Sequence, residues 1–548
     1  MFKKRILMLY FIICTAVFLR FWQLGQNPPS LTWDEAAWGY NAYSLGIDGK
    51  DEFGRFLPVD YLESFGDFKP PVYSYLDVLP VKTFGLSELA VRFPSALFGV
   101  LTVIVTYLLV KRIFWKSKLK ESYALMSALI LAISPWHIML SRAAFEANIA
   151  TFFIVLGVWL FLHSMQRKRW ILLLSAVSFA LSIYTFNTAR IVVPILILAL
   201  AFGLRKELLS RKKETFLAII LGIIFILPTV KFLVSPQASL RFKEVNIFSD
   251  INVVKTANQE IANDNNALWS KIIHNRRFAY GVEYLKHYFD NLSPNFLFIK
   301  GDGNPKFSTQ TVGQMFLWDL PFFVVGIFLL FRKKEGLPAG RQGYWWIIPV
   351  WLIIGIIPAA FARETPHALR IETTLPTFQI ITVYGFVQLM GGIKRYKNLI
   401  ICSLLFLLLI NLTYFYHDYL SHYRYDYSGE WQYGYKESLD YVKSVEGNYD
   451  YIQMTNALGR PYIYYLFYTK TSPQDFRRTA AVQRDAFGFV KVEKFGKYIF
   501  PDDYNYSLSQ TNKVLYINTP YNLPKNISIL KTFYLLNGQP VLVAYTYD

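Results

Sequence analysis

The sequence predicts a polytopic α-helical membrane protein with about 11 transmembrane helices and a small C-terminal α/β domain outside the membrane. Composition is the first reason: 53% of the 548 residues are apolar and only 17% are charged, whereas soluble domains have about 25% charged residues. The mean hydropathy is accordingly positive, at +0.27. The third observation is a series of apolar runs, most of them near the ~20 residues that a helix needs to cross the hydrocarbon core.

Eleven such runs can be located. They lie at about residues 6–22, 89–110, 122–140, 145–163, 170–187, 190–204, 215–234, 314–331, 344–361, 371–391 and 397–416. The first run follows Lys3, Lys4 and Arg5 and so imitates a signal peptide, but no small-residue cleavage site comes after it. We therefore predict that it is a retained anchor helix.

The charges of the connecting loops predict the orientation. Basic residues cluster in alternate loops, for example at 111–120 and 205–213, while the loops at 134–143 and 362–370 carry only isolated basic residues. Since basic residues mark the cytoplasmic side, the N-terminus is predicted inside and the C-terminus outside. The net charge of +19 then follows from topology, and no nucleic-acid partner is expected. We expect an integral protein of a bacterial plasma membrane.

The predicted topology divides the chain into two domains. Residues 1–416 form a transmembrane domain with large outer loops at 23–88 and 235–313, and residues 417–548 form an extracytoplasmic α/β domain. In this tail the patterns predict a helix at about 431–446 and strands at about 450–455, 513–518, 529–535 and 540–546. Both cysteines, Cys14 and Cys402, lie in apolar runs, which excludes a disulfide framework and a cysteine-based zinc site.

The first outer loop begins with two adjacent acids, Asp34 and Glu35. The residues after them predict a short helix in the membrane interface, with Trp33 and Trp38 as anchors. Because neighbouring residues of a helix point about 100° apart, the two acids cannot share one role. One can face a membrane cavity while the other braces the loop. A structural role for Asp34, as the N-cap of the helix, is the alternative.

A second feature of this loop is the stretch GDFKPP. Asp67 and Lys69 come directly before Pro70 and Pro71, which fix the backbone direction where the chain returns to the membrane surface. A lysine held there is well placed to meet a lipid phosphate, and Asp67 could orient it or bind a cation. The alternative is an ordinary interfacial lysine that extends to the headgroups.

Three further outer turns carry ionisable residues. Arg142 and Glu146 are four apart and predicted to share a helix face, Arg190 lies in the turn YTFNTAR, and His367 and Arg370 lie at the mouth of a span. Ionisable groups near membrane depth are costly and are functional candidates by default. Cationic side chains bind phosphate, and a carboxylate accepts a proton from a hydroxyl. The cluster therefore indicates a phosphate-linked substrate.

Several other chemistries lack support in the sequence. It contains no G-x-G-x-x-G motif, Walker loop or H-E-x-x-H motif, which argues against nucleotide-driven transport and zincin chemistry.

In their order and spacing, these segments resemble the polyprenyl-phosphate-sugar-dependent glycosyltransferases of the GT-C class. Within that class the resemblance is to the protein O-mannosyltransferase and aminoarabinose transferase superfamily, and it covers most of the chain. It rests on the Asp34-Glu35 pair, GDFKPP, the SR…FE stretch with Arg142 and Glu146, YTFNTAR, LSPNFLFIKGDGN at 292–304, PHALR at 366–370 and WQYGYKE at 431–437.

The resemblance implies a membrane enzyme that moves a sugar from a polyprenyl-phosphate donor to a hydroxyl acceptor on a protein, a lipid or a glycan, at the outer face of the membrane. It implies Asp34 as the catalytic base with Glu35 as its neighbour. It also implies that Lys69 and Arg370, together with His367, lie near the donor phosphate. The expected reaction is a single displacement that inverts the anomeric centre.

The remaining polar candidates are expected to line the cavity. These are Asp67, Arg142, Glu146 and Arg190. Phe68 stands where the aminoarabinose transferases have an acid before KPP, which argues against a metal site of the kind those enzymes have. No cofactor is required by this chemistry, and a divalent cation is compatible with the residues but not indicated by them.

Two other function classes stay open at this point. A flippase for lipid-linked sugars would place charges along a path between the two faces and often shows inverted repeats, whereas here the charges gather at one face and no repeat is visible. A non-enzymatic surface receptor would use the tail as its binding module. The sequence names neither the sugar nor the acceptor.

Overall fold

Helices dominate the structure, a computed structural model that describes residues 2–236, 238, 245–332, 343–393, 395–484, 490–501, 512–521 and 523–548. The described helices are, in chain order, α1 (Phe2–Phe21), α2 (Trp33–Asp48), α3 (Val72–Phe84), α4 (Glu88–Ile113), α5 (Lys120–Ile133), α6 (Pro135–Arg142), α7 (Glu146–Gln166), α8 (Ile171–Ile183), α9 (Ala189–Gly203), α10 (Arg205–Leu209), α11 (Lys212–Leu233), α12 (Ile251–Asn263), α13 (Leu268–Ile273), α14 (Arg276–Asp290), α15 (Asp319–Arg332), α16 (Ile347–Ala360), α17 (Thr377–Gly392), α18 (Lys397–Ser421), α19 (Tyr423–Asp426), α20 (Tyr435–Val445), α21 (Pro461–Thr469) and α22 (Pro473–Thr479). Each of the eleven predicted apolar runs overlaps at least one of these helices, and the run 122–140 overlaps both α5 and α6.

Four of the described helices are long and apolar enough to cross a membrane. They are Glu88–Ile113, Glu146–Gln166, Lys212–Leu233 and Lys397–Asp426, and the pair α5 and α6, bent by 56°, makes a fifth if it is one span. The apolar stretch of Lys397–Asp426 is only 6% buried and that of Lys212–Leu233 only 17% buried. Helices that leave so much apolar surface uncovered require an apolar surrounding, so the protein is an integral membrane protein.

The chain forms two compact units, and they do not follow the predicted domain boundary. Unit 1 comprises Met1–Arg20, Phe98–Ser141 and Glu146–Phe415, and unit 2 comprises Phe21–Leu97, Arg142–Phe145 and Tyr416–Asp548. One division between the units lies after residue 415, next to the predicted division after residue 416. The first outer loop, however, packs with the C-terminal segment, because side chains from both segments share one core.

Unit 2 contains the strands. A hairpin pairs β1 (Leu62–Ser64) with β2 (Asp67–Lys69), and a seven-stranded sheet is built from the described C-terminal residues. The strands of this sheet are β3 (Tyr451–Met454), β4 (Ala481–Arg484), β5 (Val490–Phe495), β6 (Tyr498–Ile499), β7 (Val514–Asn518), β8 (Ile527–Tyr534) and β9 (Pro540–Tyr547). Their order is β4-β5-β6-β3-β7-β9-β8, and β3 runs parallel to both of its neighbours.

The predicted elements of the tail are confirmed within a few residues. The helix expected at 431–446 is α20, and the four expected strands are β3, β7, β8 and β9. The prediction missed α19, α21 and α22 and the strands β4 to β6. The helix α21 carries the sequence PYIYYLFYT, which is apolar and β-branched or aromatic at most positions, so its composition does not distinguish a helix from a buried strand.

Candidate active site

The two adjacent acids lie in the first turn of α2, and the helix is capped by another residue. Thr32 is the N-cap: its hydroxyl accepts a hydrogen bond from the Glu35 backbone N–H at 3.3 Å, and the Glu35 carboxylate accepts one from the Thr32 N–H at 2.9 Å. This reciprocal pair is a capping box. The alternative interpretation of Asp34 as the N-cap is therefore wrong.

Glu35 is a wholly buried carboxylate in an ion pair with Arg92 of α4. Arg92 Nε donates to Glu35 Oε1 at 2.8 Å, and the Ala144 N–H donates to the same oxygen at 3.0 Å. The guanidinium also donates to the carbonyl oxygens of Pro28, at 2.7 Å, and Ser30. Glu35 thus connects three segments of unit 2 by hydrogen bonds, which indicates a structural role. Its predicted catalytic role stays a prediction.

The rest of α2 is a core helix, which corrects the prediction of an interfacial helix anchored by Trp38. Trp38 is 1% exposed, and Ala36, Ala37 and Tyr40 are fully buried. On one side α3 packs against the helix, and on another α21 does so. Trp38 is therefore a packing residue of unit 2 and cannot insert into a bilayer.

The hairpin β1-β2 positions Lys69. Phe65 and Gly66 form its turn, both with positive φ, at 63° and 78°, as a tight two-residue hairpin turn requires. Because alternate residues of a strand point to the same face, Asp67 and Lys69 lie on one face of β2. Pro71 then begins α3 as its N-cap.

Lys69 pairs with Asp34. Lys69 Nζ donates to Asp34 Oδ1, and the lysine side chain is 8% exposed while that of Asp34 is 48% exposed. The ammonium also lies over the rings of Trp38 and Phe65, with distances of 5.0 Å and 5.1 Å to the ring centroids. Two predicted site residues that are 35 positions apart are thus in contact. The ammonium is held by its surroundings, while the carboxylate stays accessible.

Glu52 adds a second carboxyl to this cluster, and sequence reasoning missed it. It is fully buried; Tyr462 donates to its carboxyl at 2.7 Å and Ser64 at 2.9 Å. Burial raises the pKa of Glu52 to about 7, against the opposing effects of these two hydrogen bonds and of the Lys69 charge. A signal was available: Glu52 lies in the DEFGRF stretch of the same outer loop. Charged loop residues are usually solvated, however, so its burial could not be predicted.

The C-terminal segment completes this region of unit 2. Besides the contact of Tyr462 with Glu52, Tyr464 donates to the Leu31 carbonyl at 3.1 Å, directly before the N-cap of α2. Arg484 of β4 pairs with Glu63 of β1 at 2.6 Å. The tail therefore holds both the helix that carries Asp34 and the hairpin that carries Lys69.

Arg142 and Glu146 do not share a helix face as predicted. Arg142 ends α6 and Glu146 begins α7, with three residues between the helices. Arg142 is fully buried; its Nη2 donates to the Asn27 carbonyl at 2.9 Å, and its guanidinium lies 5.4 Å from the Tyr419 ring centroid. The spacing of four implied a shared face only for a continuous helix.

Unit 1 holds His367 and Arg370 in the segment between α16 and α17. The Arg370 guanidinium is 3.7 Å from the Glu364 carboxylate. The His367 ring packs on Phe307 at a centroid distance of 4.9 Å, and its Nδ1 is buried without a hydrogen-bond partner among the described residues. Burial and the charge of Arg370 lower the pKa of His367 well below its usual range. His367 is therefore a neutral imidazole at pH 7.

Asp302 forms a hydrogen bond with the segment that carries His367 and Arg370. Its carboxylate accepts the Ala368 N–H at 2.6 Å and the Asn304 N–H at 2.8 Å, and burial raises its pKa to about 6. Asp302 lies in the KGDGN stretch on which the resemblance partly rests, but it was not predicted as a site residue.

Arg190 lies apart from these contacts in the structure of unit 1. It is in the first turn of α9, with its guanidinium 5.5 Å from the Phe232 ring centroid. Within the described residues no three His, Cys, Asp or Glu side chains gather closely enough to hold a metal ion. The cation requirement therefore stays an open prediction.

Two comparisons of the sequence find related proteins. Residues 68–232 match the family described as dolichyl-phosphate-mannose-protein mannosyltransferase. An uncharacterized protein of Aquifex aeolicus is 33% identical over 206 residues, which is 37% of this chain and 39% of that protein. The putative mannosyltransferase YkcB of Bacillus subtilis is 30% identical over 108 residues, 20% of this chain and 14% of that protein. The alignments thus span less than half of these relatives.

The comparison with solved structures covers nearly the whole chain. ArnT from Cupriavidus metallidurans superposes with a TM-score of 0.54 in the apo state and 0.55 in the crystal structure bound to undecaprenyl phosphate. In both cases 98% of this chain and 97% of that chain are covered, at 14% and 13% sequence identity. The resemblance that the sequence predicted is therefore confirmed: the chain carries the mannosyltransferase family's pattern in residues 68–232 and has the fold of the GT-C glycosyltransferases.

Proposed function

We propose that this protein is a membrane glycosyltransferase that moves a sugar from a polyprenyl-phosphate donor to a hydroxyl acceptor at the outer face of the membrane. The observation that carries the proposal is the contact of Asp34 with Lys69. One of these side chains has the chemistry of a general base and the other that of a phosphate ligand, and Lys69 lies within the residues 68–232 that match the mannosyltransferase family.

The exposures of the two side chains suit these roles. A base must reach an incoming hydroxyl, and the Asp34 carboxylate is about half exposed. A cation that stabilises a leaving phosphate acts more strongly when it is held in place and shielded from water, as Lys69 is between two aromatic rings. In the resting protein the ammonium neutralises Asp34. A donor phosphate would compete for that ammonium and release the carboxylate.

The proposed step is a single displacement. The acceptor oxygen forms a bond to the anomeric carbon while the bond from that carbon to the phosphate oxygen breaks. The acceptor proton passes to Asp34, and the electron pair of the broken bond leaves with the polyprenyl phosphate, whose added charge Lys69 stabilises. The anomeric centre is inverted. No other redox or group-transfer partner is needed, because the sugar phosphodiester is already activated.

The relatives support the choice of donor. The structural relative ArnT binds undecaprenyl phosphate, a polyprenyl phosphate, and the family that matches residues 68–232 is described by a dolichyl-phosphate-mannose donor. YkcB is a putative mannosyltransferase. These names favour a lipid-linked hexose such as mannose. They do not choose between a protein, a lipid and a glycan as acceptor.

The remaining predicted residues enter the proposal with more specific roles. We propose Arg370 as a further phosphate contact, and His367 as a hydrogen-bond donor, since a neutral imidazole adds no positive charge. Asp67 shares a strand face with Lys69 and is proposed to orient it. Glu146 and Arg190 are proposed as cavity residues, whereas the proposed role of Arg142 is to hold the turn after α6.

The topology belongs to the same proposal. Eleven spans, with a cytoplasmic N-terminus and an extracytoplasmic C-terminal segment in a bacterial plasma membrane, would put unit 2 and its Asp34-Lys69 contact on the outer side. The alternation of basic loops supports this orientation.

Binding of undecaprenyl phosphate tests the donor site without knowledge of the sugar. Wild-type protein in nanodiscs is expected to bind it, and Lys69→Met should weaken binding roughly tenfold to a hundredfold, the effect of losing a charge-assisted hydrogen bond of ~1.5–3 kcal/mol. Lys82→Met is the matched control, because Lys82 is an exposed lysine of the same loop. If Lys69→Met and Lys82→Met weaken binding equally, Lys69 is an ordinary contact to lipid headgroups and not a donor-site residue.

A transfer assay tests the reaction class. Purified protein is reconstituted in liposomes with radiolabelled mannosyl-phosphoryl-undecaprenol and membrane extract from cells that lack the gene. An enzyme produces labelled acceptor, a flippase moves intact donor across the bilayer, and a receptor does neither. Transport of intact donor without labelled product would overturn the proposal, and mass spectrometry of surface glycans with and without the gene extends the test to other sugars.

A further inference from the structure

The outward face of α14 in unit 1 is apolar. Its exposed side chains follow the spacing i, i+4, i+7 and i+11, which is one stripe of a helix. They are Phe278, Val282, Leu285 and Phe289, exposed by 56%, 49%, 55% and 62%. A helix on an aqueous surface has the opposite arrangement, with its polar side outward.

Three polar side chains of α14 face the protein instead, whereas Lys286 is 62% exposed. Tyr280 donates to the Asp250 carbonyl at 3.2 Å, His287 Nδ1 lies 2.8 Å from the Ala362 carbonyl oxygen, and Tyr288 donates to the Ile353 carbonyl at 3.0 Å. Ile353 lies near the middle of α16, one of the predicted spans. The helix is therefore docked along an apolar helix of the membrane domain, with its apolar stripe left uncovered.

The preceding helix α13 extends this surface and adds positive charge. Leu268, Trp269 and Ile272 are all more than half exposed. Lys271, Arg276 and Arg277 are exposed at the junction of the two helices. Exposed aliphatic and aromatic side chains next to basic ones are the composition of a helix that lies in the interface of an anionic bilayer.

The neighbouring helix α12 shows the contrast within the same outer segment. Its Ala257 is buried, whereas Lys255, Asn258 and Gln259 are exposed, so it presents polar residues outward. Apart from Ile251, the first residue of α12, which is 65% exposed, the exposed large apolar side chains of these three helices lie on α13 and α14.

We propose that α13 and α14 lie in the headgroup region of an anionic bilayer, with the stripe of α14 inserted among the acyl chains and Arg276 and Arg277 on the lipid phosphates. The segment after α16 is fixed by this contact. The Thr365 hydroxyl donates to Asp290 at 3.0 Å, and the His367 N–H donates to the Asn291 side chain at 3.0 Å. The idea that the membrane contact orders a phosphate-binding segment rests on the proposed function. The proposed membrane contact itself does not depend on that function.

Spin labelling in nanodiscs of phosphatidylcholine and phosphatidylglycerol tests the membrane contact. With Cys14→Ser and Cys402→Ser as background, a nitroxide at Leu285→Cys is expected to collide more often with oxygen, which concentrates in the bilayer, than with a water-soluble nickel chelate. The matched control at Asn258→Cys on α12 should show the reverse. A Leu285 label as accessible to nickel as the Asn258 label overturns the proposal, and so does a label shielded from both, which would mean that a protein covers the stripe.

Two further variants test the charge and the coupling. Arg276→Gln with Arg277→Gln should abolish the deeper insertion of the Leu285 label that phosphatidylglycerol produces, whereas Lys255→Gln should not. A label at Arg363→Cys should become more mobile when Val282→Ser and Leu285→Ser weaken the insertion. Unchanged mobility would overturn the coupling. None of these measurements uses the sugar donor, so failure of the proposed function would leave them unaffected.

Discussion

Neutralising Asp34 and neutralising the adjacent Glu35 are expected to have opposite effects on folding and on activity. Glu35→Gln should impair folding, whereas Asp34→Asn should leave folding intact and remove activity. The two side chains are adjacent in sequence and differ chiefly in burial, since one is wholly buried and the other about half exposed. The comparison therefore separates a structural carboxylate from a chemical one within a single helical turn.

The cost of Glu35→Gln can be worked out from its contacts. Oε1 accepts hydrogen bonds from Arg92 and Ala144, and Oε2 accepts them from Thr32 and Arg92. A glutamine amide would place an NH₂ group opposite two of these donors and would leave a buried guanidinium without its counter-charge. Breaking one partner of a buried ion pair costs about 3–5 kcal/mol. Total stabilities of proteins are only about 5–15 kcal/mol, so low expression and a lowered Tm are expected.

Asp34→Asn has a different expected outcome. Asp34 does not cap α2, and its carboxylate is about half exposed. Its partner Lys69 is only 8% exposed but keeps its aromatic neighbours and the side-chain oxygen of the new asparagine, so the substitution should cost less than the ~3–5 kcal/mol expected for Glu35→Gln. Asparagine cannot accept a proton at neutral pH. Turnover should therefore fall by ~10²–10⁴-fold, the usual scale for loss of a general base.

The assay combines thermal unfolding in detergent with turnover per folded molecule at saturating donor. Asp60→Asn is the matched control, because Asp60 forms a 2.7 Å ion pair with Arg55 in the same outer loop. If the Asp34→Asn variant retains more than roughly a tenth of wild-type turnover, Asp34 is not the catalytic base. Asp67 and Glu146 then become the candidates. A normal Tm for Glu35→Gln would refute the argument from buried contacts.

Glu52 and the orientation of the tail provide the remaining predictions. The pKa of Glu52 is raised from 4.5 to about 7, so its contribution to stability is complete below about pH 4.5 and is lost as pH rises through about 7; Glu52→Gln should remove this loss from a series of Tm measurements across that range. Tyr462→Phe removes a hydrogen bond that lowers this pKa, so the loss should move to higher pH, and an unmoved profile would contradict the assignment. The segment after residue 416 should be cleaved by protease added outside intact cells, and protection until lysis would contradict the predicted orientation.

Much of the architecture could be predicted because it depends on local pattern. Length and hydrophobicity are sufficient to identify a membrane helix, since a bilayer imposes the same requirement on every span. All eleven apolar runs overlap helices, and four strands of the tail lie where alternation indicated them. The family resemblance was likewise available, since it depends on the order of short motifs such as the Asp34-Glu35 pair and GDFKPP.

Tertiary structure decided which of the polar residues act together. That Lys69 contacts Asp34, and that Glu35 pairs with Arg92, depends on how α2, α4 and the hairpin pack. A spacing rule such as the one applied to Arg142 and Glu146 fails when the helix is interrupted.

The contacts of the C-terminal segment could not be predicted from the sequence either. Tyr462 donates a hydrogen bond to Glu52, although the two residues are 410 positions apart in the sequence. The first outer loop and the C-terminal segment share one hydrophobic core. The sequence alone thus determined the apolar helices, the resemblance to a family and the list of candidate acids and bases, because these depend on short-range pattern. Only the tertiary structure decided their burial and partners, because a carboxylate's chemistry is set by the charges and solvent around it, and those come from residues far away along the chain.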